Sequence, residues 1–130
     1  MAFTIAFSGK GGSGKSTVAA LTIRHLTEDL KKTALAVDAD PNSCLGMELG
    51  LKVESAISDV REDILKKKTD FPPGMSKEAY IDYCIEESII EAKGFDLLTM
   101  GRPEGPKCYC YVNNLLRKYL DKASSSYPFV

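Results

Sequence analysis

Apolar residues along this chain fall into short blocks that alternate between two rhythms. Phe3 to Phe7 is a brief apolar run that reads as a buried strand. Ala19, Ile23, Leu26 and Leu30 then recur at helical spacing, with Lys31 and Lys32 at the end where cations suit the helix dipole. Thr33 to Val37 predicts a second strand, and Ser43 to Leu51 a short helical turn closed by Gly50. Ala56 to Lys68 predicts a helix with Ile57, Val60 and Ile64 on one face and Lys66-Lys67-Lys68 as a solvated terminus. Phe71-Pro72-Pro73-Gly74 breaks the chain, and Ser76-Lys77-Glu78-Ala79 opens another helix with a capping-type start. Tyr80, Cys84, Ile85 and Ile89 share its inner face in this reading. Phe95 to Met100 is a third strand stopped by Gly101; Val112, Leu115, Leu116 and Leu120 predict a last helix, and Tyr127 begins a fourth strand. Such alternation predicts an α/β domain: a doubly wound, mainly parallel sheet of about four strands with helices on both faces.

Composition narrows the class. The 130 residues amount to one domain at most, and 44% apolar with 27% charged is ordinary for a folded soluble protein. A net charge of −1 lacks the basic footprint of a domain that binds DNA by its overall field, so no nucleic-acid partner is expected. No apolar run approaches the ~20 residues of a membrane span. The first strand starts at once with no leader segment, which points to a cytoplasmic setting without a membrane partner. Four cysteines in that setting read as reduced thiols or metal ligands, not a disulfide framework. His25, the one histidine, falls inside the first helix and reads as a surface or partly packed residue.

The candidate chemistry begins at Gly9-Lys10-Gly11-Gly12-Ser13-Gly14-Lys15-Ser16-Thr17. It fits G-x-x-x-x-G-K-[ST], and strand, loop, helix is the required order. Glycines let successive N–H groups curl into one anion-binding concavity. Lys15 is placed for the β- and γ-phosphates and Ser16 for Mg²⁺. The predicted cofactor contacts are Gly9, Gly11, Gly12, Ser13, Gly14, Lys15, Ser16 and Thr17, with ATP and Mg²⁺ as ligands and a P-loop NTPase-type sheet as the frame. Asp38-Ala39-Asp40-Pro41-Asn42 follows the second strand, at the carboxyl edge where open parallel sheets bind ligands. Asp40 is the leading candidate to serve Mg²⁺ or orient an attacking water, and Asp38 is the second.

A second informative stretch is Gly101-Arg102-Pro103-Glu104-Gly105-Pro106-Lys107-Cys108-Tyr109-Cys110. Two thiolates do not fill zinc's four positions, but two copies meeting at a twofold axis supply four. From residue types alone, a metal site and a pair of reduced structural thiols both remain open.

The string K-G-G-x-G-K-[ST] resembles the deviant-Walker class of dimeric ATPases, which includes MinD, ParA and the nitrogenase iron protein. The resemblance implies that Lys10 reaches a partner subunit's nucleotide, and that Lys10, Lys15 and Asp40 are the catalytic set. Together with Cys-Tyr-Cys, the chain as far as Leu120 resembles the CooC-type ATPases that assist nickel insertion into carbon monoxide dehydrogenase. That resemblance implies a homodimer whose Cys108 and Cys110 share nickel or zinc, with carbon monoxide dehydrogenase as client. Lys107 departs from the pattern, which has a small residue there. Other members of the wider class give the alternatives: a partitioning or positioning ATPase, an enzyme like cobyrinic acid a,c-diamide synthase, or an iron–sulfur protein like the nitrogenase iron protein. The cysteines at i and i+2 fit the iron–sulfur case poorly. The strand opening at Tyr127 is expected to be cut within residues 127–130, so that residues 1–130 are the N-terminal part of one ATPase domain whose sheet is incomplete on its C-terminal side. Such a piece is expected to turn over little or no ATP alone.

Overall fold

The computed structural model describes residues 2–67, 71–105 and 108–130, apart from the side chains of Lys67 and Cys108. Three strands form its sheet: β1 (Ala34–Asp38), β2 (Ile90–Glu91) and β3 (Phe95–Thr99), in the order β1-β3-β2. β1 and β3 run parallel over five paired positions, from Ala34 opposite Phe95 to Asp38 opposite Thr99. β2 pairs antiparallel with β3. On the other side of β1, Phe129 bridges in parallel to Ala34 and also to Phe3. Residues 127–130 therefore enter between β1 and the N-terminal segment, and the sheet is mixed but mostly parallel.

Side chains alternate across this sheet and bury two cores. Leu35, Leu98 and Met100 face one layer with Ile57, Val60 and Ile64 of α3 (Ile57–Lys67), Ile81 and Ile85 of α4 (Lys77–Ser88), and Val112 and Leu116 of α5 (Cys108–Ala123). Ala36 and Leu97 face the other layer with Ile23 of α1 (Lys15–Arg24) and Leu45 of α2 (Leu45–Glu48). Helices thus cover both faces, as the alternation predicts. Ser76 caps α4, its hydroxyl accepting from Ala79 N–H at 3.1 Å.

Several expectations need correction. Phe3 to Phe7 is not a buried strand: Phe3 is 65% exposed and Phe7 38%. Its backbone is paired only through Phe3 and Ile5, whose N–H groups donate to Pro128 and Val130 carbonyls at 2.8 and 2.9 Å. The first helix runs into a π-helical turn, His25–Asp29, and Leu30 lies beyond it, half-exposed. α4 stops at Ser88, and Ile89 packs against the core from extended backbone. The two-residue β2 has no periodic signal to announce it. Lys68 and Lys107 lie outside the described residues.

Candidate nucleotide-binding site

The loop ahead of α1 is closed by its own backbone. Ser13 donates to the Lys10 carbonyl twice, from N–H at 3.2 Å and from Oγ at 2.6 Å. A Cβ at Gly9 would sit 2.7 Å from Ser13 Oγ, so this closure needs glycine there. Gly14 caps α1 in the left-handed region (φ 87), where a side chain is strained. The first helical bond runs from Val18 N–H to the Gly14 carbonyl at 2.9 Å. The N–H groups of Lys15, Ser16 and Thr17 therefore have no intrahelical partner, which is the arrangement that receives anions.

Lys15 folds back over this loop. Its Nζ donates to the Gly9 carbonyl at 2.9 Å and lies 3.5 Å from Asp40 Oδ2. Asp40 Oδ1 accepts the Asn42 N–H at 2.9 Å. That bond first, and then the Lys15 ammonium, hold the Asp40 carboxyl below the usual carboxylate range, with burial opposing them. Asp38 is buried, and its two oxygens accept N–H groups from Asp40 and Leu45. A cleft of about 560 Å³ opens here, lined in part by Gly9, Lys15, Ser16, Asp38 and Asp40. Lys10 is exposed outside the cleft lining, as are Gly11, Gly12, Ser13 and Thr17 of the loop.

The structure thus brings Gly9, Lys15, Ser16, Asp38 and Asp40 together and leaves Lys10 on the outer surface. It also supplies a partner that reasoning from sequence missed, the Leu45 N–H that engages Asp38; a backbone donor leaves no mark on the residue string. Hydroxyl and carboxylate oxygens at one cleft are donors that suit Mg²⁺. Ser16 offers the first, and Asp40 Oδ2, 3.5 Å from the Lys15 ammonium, offers the second.

A family model described as the CobQ/CobB/MinD/ParA nucleotide binding domain matches residues 4–122. This chain belongs to that family. It is 47% identical to an uncharacterized ATP-binding protein of Methanocaldococcus jannaschii, over 97% of this chain and 50% of that one. A second uncharacterized ATP-binding protein of the same organism is 32% identical over 89% of this chain and 48% of its own length. The carbon monoxide dehydrogenase accessory protein CooC of Rhodospirillum rubrum is 30% identical over 91% of this chain and 50% of its length. The chain therefore spans about half the length of the curated relatives it matches.

Cys110 lies outside the cleft lining. Cys108 is the first residue of α5, and Cys110 in the same turn is exposed and free. Among the described residues, no group of three or more His, Cys, Asp or Glu side chains is placed to hold a metal ion. Cys84 packs against the core and Cys44 is partly buried, its Sγ 3.7 Å from the Asn42 carbonyl. No described helix is long and apolar enough to cross a membrane.

Proposed function

We propose that this chain is the nucleotide-binding part of a cytoplasmic ATPase of the metallochaperone kind, assisting nickel insertion into carbon monoxide dehydrogenase. The observation that supports it most is the setting of Lys15, an ammonium held at the mouth of the cleft by the Gly9 carbonyl and the Asp40 carboxylate. A triphosphate tail supplies the charge this ammonium and the free N–H groups of α1 are arranged to meet. Ser16 and Asp40 would hold Mg²⁺, which neutralises charge on the phosphates when bound. Lys10, exposed on the loop, is assigned to the partner subunit's nucleotide in a homodimer. One chain offers two thiols, too few for a closed tetrahedral site, so Cys108 and Cys110 of two subunits are assigned to one nickel or zinc ion carried as cargo. The likeness to the Rhodospirillum rubrum accessory protein supports the choice of client.

We also propose that residues 127–130 open a longer strand of the full-length protein. It would run between β1 and the N-terminal segment and complete one ATPase domain. The support is the paired bridge of Phe129 to both neighbours and the cleft that continues beyond it along Ile5, Phe7 and Ala36.

The test uses the full-length protein. Lys15→Ala should weaken ATP binding by about 2–3 kcal/mol, roughly 30- to 150-fold. Metal titration followed by light scattering should reach one ion per dimer, and Cys110→Ser should reduce metal content and dimerisation together. A site filled at one ion per monomer, with no change in association, rules out the shared-metal mechanism.

A further inference from the structure

We propose that Asp38 is a positioning residue, a buried carboxylate whose two oxygens hold the loop that aims Asp40 at Lys15; this rests on the nucleotide-binding reading above. Asp38 ends β1 and is only 5% exposed. Its carbonyl accepts the Met100 N–H at 2.8 Å, which fixes it to the chain leaving β3. The side chain then spans the following loop. Oδ1 accepts the Asp40 N–H at 3.1 Å, and Oδ2 accepts the Leu45 N–H at 3.0 Å. Those donors stand near the two ends of the turn, so one carboxylate sets both where the chain leaves the sheet and where α2 begins. Asp40 is held further by Ser43, whose N–H donates to the Asp40 carbonyl at 2.9 Å, and by Asn42 at Oδ1. With those groups occupied, Asp40 Oδ2 is left facing Lys15.

The chemistry explains why this position carries a carboxylate. Two N–H donors converge on it, and only a carboxylate accepts on both arms; an amide of the same shape turns an NH₂ toward one of them. A buried charge is costly without a partner. Among the described residues, no lysine, arginine or histidine pairs with Asp38. The same turn holds Ser43 at φ 51, a left-handed conformation that a non-glycine residue keeps only when its surroundings fix it. The Asp38 bonds at either end of the turn are part of that fixing.

The experiment compares full-length wild type, Asp38→Asn, Asp40→Asn and the double variant, measuring ATP binding with Mg²⁺ and in EDTA. Asp38→Asn should weaken Mg²⁺-ATP binding by about tenfold or more, while binding in EDTA changes by less than about twofold. The double variant should bind no more weakly than Asp40→Asn, because both changes act through one oxygen. A lowered thermal midpoint with unchanged Mg²⁺ dependence would reduce Asp38 to a structural residue and overturn the proposal. Additive losses would make it an independent ligand and overturn it equally. Amide exchange on the wild type, without nucleotide, gives a second judgement: the Asp40 and Leu45 amides should be protected. Fast exchange at both overturns the proposal even if Asp38→Asn does not fold. Absence of ATP binding by the wild type counts against the nucleotide reading, and the exchange result then decides Asp38 alone.

Discussion

The two edges of β1 are built differently, and the candidate site straddles them. Toward β3, every residue of β1 is paired in register, and Leu35 and Leu98 are almost wholly buried beneath three helices. Toward the N-terminus the pairing is sparser: Phe129 bridges to Ala34 and Phe3, backbone bonds join Pro128 and Val130 to Phe3 and Ile5, and Phe3 is largely exposed beyond them. The Asp38–Asp40 turn follows the firm edge; the loop with Gly9 and Lys15 follows the thin one. The 3.5 Å approach of Lys15 to Asp40 joins these halves across the cleft.

The largest expected effect tests that inequality directly. Leu98→Ala deletes a side chain with 0% exposure and should cost about 2–5 kcal/mol in urea unfolding. Phe3→Ala, at 65% exposure, should stay within about 0.5 kcal/mol. Equal losses would mean that the thin edge is as firmly packed as the other and that the contrast is wrong.

A smaller effect sharpens the comparison at the thin edge. Tyr127 donates its hydroxyl to Asp96 Oδ2 at 2.6 Å, tying the start of residues 127–130 to β3. Removing that tie with Tyr127→Phe should cost about 1 kcal/mol, below the usual range for a charged acceptor because the pair is only part-buried. Amide exchange should quicken at Phe3, Ile5 and Val130 and stay unchanged in β3. Burial first, and then the Asp96 carboxylate, push the Tyr127 phenol well above the ordinary tyrosine range. With the folded value raised, the stabilisation is fully present below an ordinary tyrosine pKa of about 10 and fades as pH rises through the higher folded value. An ultraviolet titration should find one tyrosine, lost in Tyr127→Phe, that ionises after the others.

What the sequence makes legible follows the same division. The order of loop and helix from Gly9 to Thr17 could be read because its glycines report local backbone geometry, and the helix faces of Ile57, Val60 and Ile64 because burial repeats with the helical period. The D-x-D pair was harder. Asp38 and Asp40 are equivalent as a string, and only the turn that carries Leu45 back to the strand end separates a buried anchor from an oxygen facing Lys15. Phe3 to Phe7 was misjudged because an apolar run reports what a segment prefers to bury, not how many neighbours its strand finds. Cys108 and Cys110 gave a chemical suggestion, and among the described residues no group of three or more potential metal ligands forms.

The smallest expected effect concerns Thr99, which stands opposite Asp38 at the end of the β1–β3 ladder. Its side chain is 3% exposed, and its hydroxyl has no hydrogen-bond partner among the described residues. Thr99→Val keeps the branched shape and removes a buried polar group that gains nothing, so stability should be unchanged or rise by up to about 1 kcal/mol. The firm edge of β1 would then owe its hold on the Asp38 turn to the backbone N–H groups alone. A loss above about 1 kcal/mol would point the other way, to a hydroxyl that is bonded in solution. Asp38 is the acceptor beside it on the neighbouring strand. The anchoring of the turn would then include β3 as well as α2, and Asp38→Asn should lose its selective effect on Mg²⁺-ATP binding when Thr99→Val is already present. Thermal unfolding of Thr99→Val, with Mg²⁺-ATP binding by Asp38→Asn and the double variant, distinguishes these cases.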